Sequence, residues 1–514
     1  MLSLYIHIPF CHHKCWYCSF NVIPLEAISN TLPTGRQEQQ AASDNKNLEL
    51  GTWGLKPIII TYLSALHRQI DDMQDKLWEQ EIRTLYFGGW TPSIIGSDEM
   101  IKLIDHIASV RNLDYLEELS IEINPEPVDQ MLDLISTISN RYKHFHRVRF
   151  SIGIQSFDNE VLEESGRQYN FQSCVDFLRK LTHIKMEHNV FNFDFIAFGK
   201  FNQTRKGDLQ LRDPVRLDFF QRFVESGFAD SFSLYTLELF EWSIWYNQQI
   251  ANHNYEKAGF WLKKYGTDDD VYEEFELLKN IILDAGYQRY EISNYSKSWV
   301  NSIHNRVYRA MDERLGLGTW ATSHLKAENL GKIISLNSLS SWAKWSDNET
   351  KSKDAAQQVP LGYLLSTIIK DSSTSSEWQK KEIYSWHISI VPDLKRFVAG
   401  TWIDDKKTEL LTETEYLKEK FLMGMRTMEG VQLWEKRATT HIHLQREKDK
   451  KEKPSYLHTT PSHNNTITTI LVPNREEKVT LFAEQDLCEY DGIRLRLTDQ
   501  WMDIYNSIII ELMA

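Results

Sequence analysis

Three of the five cysteines in this 514-residue chain stand close together near its start, and their spacing constrains the chain more than any other feature. Cys11, Cys15 and Cys18 form a C-x3-C-x2-C pattern directly after the apolar run Leu4 to Ile8. Intervals of this size let one short loop surround a single inorganic centre. Three thiolates are one too few to close a tetrahedral zinc site and one too few to hold every iron of a 4Fe-4S cube. The pattern therefore predicts a cube with one iron open to a ligand that is not protein.

The residues alone leave other roles for these cysteines possible. A histidine could complete a structural zinc knuckle, for which the candidates are His7, His12 and His13. Zinc sites more often arrange their ligands as two separated pairs. Buried thiols without chemistry are a second alternative. Disulfides are disfavoured because the intervals are too short for good pairing and one sulfur would be left over.

Composition bounds the class of protein. A chain of 514 residues with 41% hydrophobic content can build one large domain and a smaller one. The net charge of -14 disfavours nucleic acid as a partner, because proteins that bind it are usually basic. We expect no transmembrane segment, since no run of eighteen apolar residues occurs, and no secretion signal, since the N-terminus lacks a charged region followed by an apolar region and a cleavage site. A low cysteine count with a clustered trio suits a reducing compartment, so the expected location is cytoplasmic.

Strand-like and helix-like segments alternate through the first half of the chain. Strands are expected at 83–87, 119–123, 148–154, 191–198 and 231–237, with helical stretches between them. This alternation predicts an α/β fold with a parallel sheet, in the form of a partial or full β/α barrel. In such a sheet the loops after the carboxyl ends of the strands make the active site. One of these ends is the pair Gly88 and Gly89, where the missing side chains permit close backbone approach.

The cysteine motif and its surroundings resemble those of a known family. C-x3-C-x-Y-C after Y-x-H-I-P-F is similar to the signature of radical S-adenosylmethionine proteins. The branch it resembles contains HemW haem chaperones and oxygen-independent coproporphyrinogen III oxidases, and YEISN from Tyr290 and S-x-H-N from Ser302 resemble the same branch. Phe20 stands where the oxidases have a further cysteine, as in HemW. The resemblance implies a β/α barrel of the radical S-adenosylmethionine type with a small C-terminal α/β domain.

The resemblance also implies which residues hold the cofactors. The three cysteines would bind the 4Fe-4S cluster, and Gly88 to Pro92 is similar to the GGGTP motif that receives the amino group of S-adenosylmethionine. A guanidinium suits the methionine carboxylate, and carboxylates suit the ribose hydroxyls. The cofactor-binding candidates are Tyr5, Tyr17, Gly88, Gly89, Thr91, Glu122, Gln155, Arg167, Asp194 and Thr236. His304 is the candidate to bind haem, because imidazole is a usual axial ligand of haem iron.

Two functions follow from the resemblance. The first is a HemW-like haem chaperone that binds the cluster and S-adenosylmethionine and transfers haem to target proteins. The alternative is an oxygen-independent coproporphyrinogen III dehydrogenase, a radical decarboxylase of porphyrin biosynthesis, so whether the chain is an enzyme stays open. In either case the cluster would cleave S-adenosylmethionine reductively to methionine and a 5′-deoxyadenosyl radical. A degenerate relative is a third possibility, since Trp90, Trp320 and Arg309 replace residues that are usual in the family.

The expected partners and domains complete these predictions. The resemblance implies haem or porphyrin, haem-receiving proteins, and an electron donor such as flavodoxin or ferredoxin. The barrel core is expected at 1–330 with a loop insertion at 24–53, followed by a connecting region at 331–400. The C-terminal domain is expected at 401–514, with a polar insertion at 441–470. Cys174 and Cys488 lie outside the trio and are expected to be packing residues.

Overall fold

The structure is a computed structural model that describes most of the first 326 residues and shorter segments beyond them. The described residues are 1–18, 23–25, 57–77, 81–199, 201–203, 209–211, 214–238, 243–246, 268–297, 300–326, 383–390, 392, 394–399, 409–432, 487–490, 494–498 and 502. The insertion expected at 441–470 and nearly all of the one at 24–53 lie outside them. The chain divides into two compact units, one of 1–308 with 312–412 and one of 309–311 with 413–514.

Strands and helices alternate through much of the first unit. The strands of the chain are β1 (Leu2–Ile8), β2 (Phe10–Cys11), β3 (Ile23–Pro24), β4 (Ile82–Gly89), β5 (Glu118–Ile123), β6 (Val148–Gln155), β7 (Asn189–Ala197), β8 (Phe201–Gln203), β9 (Leu209–Leu211), β10 (Ser231–Thr236), β11 (Gln288–Glu291), β12 (Asn294–Ser296), β13 (Arg314–Leu317), β14 (Thr322–Lys326), β15 (Ile383–Ser389), β16 (Glu409–Thr412), β17 (Val431–Gln432), β18 (Cys488–Tyr490) and β19 (Arg494–Leu497). The helices are α1 (Pro57–Leu77), α2 (Gly96–Val110), α3 (Val128–Arg141), α4 (Asn159–Glu164), α5 (Phe171–Leu181), α6 (Pro214–Glu225), α7 (Asp268–Asp284), α8 (Ile303–Arg309), α9 (Leu394–Val398) and α10 (Glu413–Gly424), and a 3-10 helix covers Pro92–Ile95. The five strands predicted from the sequence are all present.

Twelve strands within the described residues form one sheet. Its order is β11-β12-β10-β7-β6-β5-β4-β1-β13-β14-β15-β16. The seven strands from β10 to β13 in this order are parallel, and the strands outside them pair antiparallel. Parallel neighbours need a crossover, which a helix usually supplies, and helices indeed lie between β4, β5, β6, β7 and β10 in the chain. The predicted α/β fold with a parallel sheet is confirmed.

Alternation along the strands gives this sheet one apolar face and one polar face. On β6, Val148, Phe150 and Ile152 have no exposed surface and belong to the main hydrophobic core. Successive side chains of a strand point to opposite faces, so Arg149 and Ser151 lie on the other side. The same alternation holds on the neighbouring strands. We call the second side the polar face and define it by Tyr5, His7, Tyr86, Glu118, Glu122, Arg149, Ser151, Asn192, Asp194 and Ser233.

The second unit contains its own small sheet. Helix α10 precedes β17, and within the described residues the sheet has the order β17-β19-β18 with antiparallel pairing. Leu495 and Leu497 of β19 are fully buried. None of the helices in the described ranges combines the length and the hydropathy that a membrane span requires.

Candidate functional site

The cysteine loop follows β1 at the carboxyl end of the parallel strands. Cys11 and Cys15 are buried, Cys18 is half-buried, and none of the three forms a disulfide. The backbone N–H of Cys18 donates to the carbonyl oxygen of Cys15 at 3.1 Å, and that of Trp16 donates to Ser165 at 3.0 Å. These bonds fix the loop through its backbone and do not involve its sulfurs. In the described part of the chain, no group of three or more His, Cys, Asp or Glu side chains, the three cysteines included, is arranged to hold a metal ion.

The glycine pair at the end of β4 lies where β1 and β4 approach most closely. A Cβ on Gly88 would lie 2.7 Å from ring carbons of both Tyr5 and Tyr86. A Cβ on Gly89, whose φ is +125°, would lie 2.5 Å from the carbonyl oxygen of Ile8. Real Cβ atoms do not approach so closely, and L side chains rarely adopt such a φ. Both positions therefore need glycine, because only a residue without a side chain lets β4 pack this closely against β1 and the two tyrosine rings.

Glu122 of β5 lies beside this glycine pair. The Tyr86 hydroxyl donates to its Oε1 at 2.7 Å, and the Gly89 N–H donates to its Oε2 at 3.1 Å. Burial raises the pKa of Glu122 to about 7, the Tyr86 hydrogen bond acts in the opposite direction, and the nearby Asp194 charge raises it further. Glu122 therefore exists in both protonation states near neutral pH. In its ionised state it is a negative charge at the end of the strand, suited to a cationic ligand.

Asp194 of β7 is held in place by a hydroxyl group of β6 and an amide group of its own strand. Ser151 donates to Asp194 Oδ2 at 3.1 Å, and Asn192 Nδ2 donates to Oδ1 at 2.7 Å. The same Asn192 amide donates to the Ser233 hydroxyl at 2.9 Å. Burial raises the pKa of Asp194, while hydrogen bonds from Ser233, Ser151 and Asn192 oppose that rise. The carboxylate is thus oriented on the polar face, as a group that contacts a ligand must be.

Arg167 is linked to the cysteine loop by a chain of hydrogen bonds. Its guanidinium donates to Asn124 Oδ1 at 3.2 Å and to the Tyr17 hydroxyl. Asn124 Nδ2 donates to Thr91 Oγ1 at 2.9 Å, and this oxygen lies 3.2 Å from Cys11 Sγ. The structure therefore connects Tyr17, Arg167 and Thr91, three predicted cofactor residues from separate segments, with one of the cysteines.

Gln155 and Thr236 end two further strands of the parallel sheet. Gln155 has a φ of +65°, which is uncommon for a residue other than glycine. A Cβ on Gly153 would lie 2.8 Å from Gln155 Nε2 and 3.5 Å from Asn124 Oδ1, so the Gln155 amide folds over Gly153 towards Asn124. Thr236 is partly buried and pairs in register with Ala197 at the end of β7. Both residues lie at the carboxyl edge, where the sequence placed them.

His7 is in contact with both tryptophans that depart from the family pattern. Its Nδ1 lies 3.0 Å from the Tyr5 hydroxyl. The ring centroid of Trp90 is 5.9 Å from that of His7 in an edge-on arrangement, and that of Trp320 is 6.3 Å away. Burial lowers the pKa of His7 to about 4, so its imidazole is neutral at physiological pH. Tyr5, a predicted cofactor residue, is thereby tied to an aromatic group that includes both tryptophans.

His304 lies at the opposite end of the polar face from the cysteine loop. Its Nδ1 is 2.8 Å from Thr84 Oγ1, and its backbone N–H donates to Glu118 Oε1 at 3.2 Å. Thr84 and Glu118 stand near the amino ends of β4 and β5, whereas the cysteines follow the carboxyl end of β1. The His304 ring packs against Tyr86 at 4.8 Å, and burial lowers its pKa to about 4. The His304 ring also lies 6.4 Å from that of Tyr5, so the two tyrosines separate this predicted haem ligand from the cysteine loop.

Two members of the site were not singled out from the sequence. Asn124 joins Thr91 to Arg167, and Tyr86 donates to Glu122. The alternation of side chains along a strand could have identified both residues from the sequence. Asn124 stands two residues after Glu122, and Tyr86 stands two residues before Gly88, so each shares a face with a residue that had been chosen.

Known proteins resemble this chain over the region that contains the cysteine loop and the parallel strands. The family model described as the Radical SAM superfamily matches residues 5–203. A protein named heme chaperone HemW from Lactococcus lactis is 25% identical over 334 residues, which cover 64% of this chain and 72% of that protein. A protein of the same name from Bacillus subtilis is 25% identical over 338 residues, with 65% and 74% covered. These matches confirm the resemblance found in the cysteine motif and its surroundings.

Two further comparisons extend beyond the matched domain. A Dictyostelium discoideum protein named radical S-adenosyl methionine domain-containing protein 1, mitochondrial, is 24% identical over 451 residues, with 84% of this chain and 82% of that protein covered. Among solved structures, the coproporphyrinogen III oxidase HemN from Escherichia coli, described as a radical SAM enzyme, aligns with a TM-score of 0.58. That alignment covers 100% of this chain and 90% of HemN at 14% identity. It confirms the predicted barrel fold.

Proposed function

Since this chain is a radical S-adenosylmethionine protein of the HemW branch, we propose that it is a haem chaperone that binds a 4Fe-4S cluster and S-adenosylmethionine and transfers haem to target proteins. The observation that carries the proposal is the hydrogen-bonded connection of the cysteine loop to Arg167 through Thr91 and Asn124. It links Cys11, an expected cluster ligand, to Thr91 and Arg167, expected ligands of S-adenosylmethionine, and this supports the proposal.

The donor set fits the cluster. The three thiols come from one loop, and none of them is used in a disulfide. Three sulfur ligands leave one iron of a cube open, and Thr91, Asn124 and Arg167 beside the loop offer polar groups to a second ligand. When bound, the cluster supplies an electron for reductive cleavage of S-adenosylmethionine. The residues present therefore suit both groups.

The surrounding side chains have separate tasks in this proposal. The ionised Glu122 carboxylate accepts a hydrogen bond from the amino group of S-adenosylmethionine. Because the pKa of Glu122 is about 7, the ionised state is populated in the physiological range. Arg167 is a fixed guanidinium suited to the methionine carboxylate, and its contacts with Tyr17 and Asn124 orient it. Asp194, oriented by Ser151 and Asn192, accepts from hydroxyl groups of the ribose.

The haem-related part of the proposal rests on relatives and on one position in the sequence. The relatives from Lactococcus lactis and Bacillus subtilis are named heme chaperones. Phe20 stands where a further cysteine is expected in the oxidases, so the proposed ligand set has three sulfurs from this loop. We propose a reducing, cytoplasmic setting with a flavodoxin or ferredoxin as electron donor, because a cluster on free thiols needs such a compartment.

The second candidate is an oxygen-independent coproporphyrinogen III dehydrogenase. The observation in its favour is the HemN-like fold over the whole chain. The two candidates share the cluster and S-adenosylmethionine, and they differ in what becomes of the tetrapyrrole. A chaperone binds haem and releases it intact, whereas the dehydrogenase removes carboxyl groups from a porphyrinogen.

Anaerobic reconstitution with iron and sulfide tests the shared part first. We expect the electron-spin signal of the reduced cluster to change when S-adenosylmethionine is added. Cys11→Ser should lose the cluster, whereas Cys174→Ala, which alters a buried cysteine outside the loop, should keep it. An unchanged signal in the wild type would refute the radical S-adenosylmethionine site.

The second step separates the two candidates. The reconstituted protein is mixed with haem and then with apomyoglobin, and the Soret band is followed. A chaperone forms a haem complex and passes haem to the acceptor. Anaerobic coproporphyrinogen with a reductant is the parallel assay. Formation of protoporphyrinogen would replace the chaperone assignment with the dehydrogenase.

A further inference from the structure

Arg149 on β6 is a buried cation in the middle of the polar face. Only 2% of its surface is exposed, and its chain neighbours Val148 and Phe150 belong to the hydrophobic core on the other side of the sheet. Strand alternation therefore directs its side chain to the same face as Ser151, which donates to Asp194. The guanidinium thus lies inside the barrel, below the carboxyl edge where the cysteine loop stands.

No hydrogen bond joins this guanidinium to another residue in the described part of the chain. Its Nε is fully buried and has no partner. The carboxylates nearby are already bonded to other donors. Glu118 accepts from Ser302 and the backbone of α8, Glu122 from Tyr86 and Gly89, and Asp194 from Ser151 and Asn192.

An arginine in this situation is unfavourable unless something else satisfies it. Buried charges are almost always paired, and a buried donor without an acceptor destabilises a fold by about 1 to 3 kcal/mol or more when charged. Burial alone would lower the pKa of Arg149, but Tyr290, Glu118, Tyr86 and Asp194 raise it above its ordinary value. The group therefore stays charged while its donors remain unused.

The space around Arg149 also differs from an ordinary barrel interior. Such interiors are usually filled by bulky branched side chains. Here the strand ends above Arg149 carry Gly88 and Gly153, which are covered by the rings of Tyr5 and Tyr86 and by the Gln155 amide, so aromatic and polar side chains take the place of branched aliphatic ones. Helix α8 is held to Glu118 at the amino end, so a ligand would approach from the carboxyl end. A planar guanidinium with free donors matches the two oxygens of a carboxylate.

We propose that Arg149 binds a carboxylate of the tetrapyrrole, a propionate that extends into the barrel interior. This inference rests on the proposed function, because it assumes that a tetrapyrrole binds. It assigns to haem recognition a residue different from His304, which lies against Thr84 at the amino end. A carboxylate of S-adenosylmethionine is the other source of the same chemistry, and the experiment separates the two.

Haemin and haemin dimethyl ester are the two probes, since the ester keeps the iron and the ring but lacks free carboxylates. Each is titrated into wild type, Arg149→Met, Arg149→Lys and Arg83→Met, and the Soret band is followed. Arg83 is a matched control because its guanidinium pairs with Glu117 at 2.9 Å on the surface. We expect wild type and Arg83→Met to prefer haemin over the ester by about 10- to 100-fold, the range for hydrogen bonds to charged groups. In Arg149→Met the preference should fall to about one, with Arg149→Lys between them because lysine is a point charge.

Thermal stability and the haemin preference together distinguish ligand binding from a structural role. Arg149→Met removes the cation beside Glu118 and Asp194, so its melting temperature should fall in either case, and only a ligand role predicts that the preference for haemin falls with it. A lower melting temperature together with an unchanged haemin preference would show a structural counter-charge and overturn the inference.

Two remaining outcomes separate this inference from the proposed function. If wild type binds haemin and its ester equally, the chaperone assignment stands and the role of Arg149 is wrong. If wild type binds neither haemin nor its ester, the chaperone assignment and the role of Arg149 are both wrong.

S-adenosylmethionine affinity is measured at pH 8 on the reconstituted proteins and should change less than about twofold in Arg149→Met. A loss there as large as the loss of haemin affinity would assign the carboxylate to S-adenosylmethionine.

Discussion

Replacing Glu122 by Gln should remove a large part of the pH dependence of folding. In the wild type, burial raises the pKa of Glu122 from 4.5 to about 7. Because the folded-state pKa lies above the unfolded one, the stabilising contribution is complete below pH 4.5 and is lost as the pH rises to about 7. At about 1.36 kcal/mol per pH unit the loss amounts to ~3 kcal/mol. The amide introduced by Glu122→Gln carries no charge at any of these pH values, so this loss should disappear.

Urea unfolding of the cluster-free, reduced protein at pH 5 and pH 8 measures the effect. The wild type should lose about 2 to 3 kcal/mol more stability between these two pH values than Glu122→Gln does. Comparing the two proteins cancels the titration of all other groups. Glu117→Gln, which alters a carboxylate in a surface ion pair with Arg83, should show the pH dependence of the wild type.

The reasoning fails if Glu122→Gln and the wild type lose stability in parallel. That result would mean that Glu122 titrates in the folded protein near its ordinary value. A constant offset between the two proteins is compatible with the reasoning. A glutamine side chain has one carbonyl oxygen and cannot accept from both Tyr86 and Gly89 as the carboxylate does, so its hydrogen-bond loss is independent of pH.

Three other substitutions test neighbouring parts of the site. Tyr86→Phe removes the hydroxyl that donates to Glu122, so the free energy of unfolding should fall by about 1 kcal/mol, and the pH midpoint of S-adenosylmethionine binding, measured by equilibrium dialysis, should rise. An unchanged midpoint would contradict the effect of Tyr86 on the ionisation of Glu122. Gly89→Ala places a Cβ 2.5 Å from a backbone oxygen and should lower the free energy of unfolding in urea by about 1 to 3 kcal/mol. The control Gly96→Ala has open space around the new Cβ, so its loss of stability should reflect only the strain of its φ of +77°. Arg167→Gln should weaken S-adenosylmethionine binding about tenfold or more while the iron content stays at the wild-type level, and a matching loss of iron would assign Arg167 to the cysteine loop instead.

Several parts of the site could be predicted because their signals are local. The cysteine spacing and the glycine pair are each contained in a few consecutive residues. The strands around them were recognised from apolar β-branched runs, and β5, β6 and β10 begin or end within one residue of the predicted bounds. Glu122 and Asp194 could be placed at strand ends on the same basis.

Other features depend on which strands become neighbours. Asn124 was not chosen from the sequence, although it joins Thr91 to Arg167, because those two residues come from segments 76 positions apart. Trp90 and Trp320 were noted as separate departures from the family pattern. The structure brings both against His7, since β1 lies between β4 and β13 in the sheet.

The sequence by itself determined the α/β class, the three-thiol loop and the strand ends that carry the site, because short-range spacing and alternation encode all three. Only the tertiary structure decided which side chains meet and which charges are buried. His304 and Arg149 show this most clearly. Their neighbours come from β4, β5, β7 and β11, and the order and register of those strands depend on packing between distant parts of the chain rather than on the residues beside them.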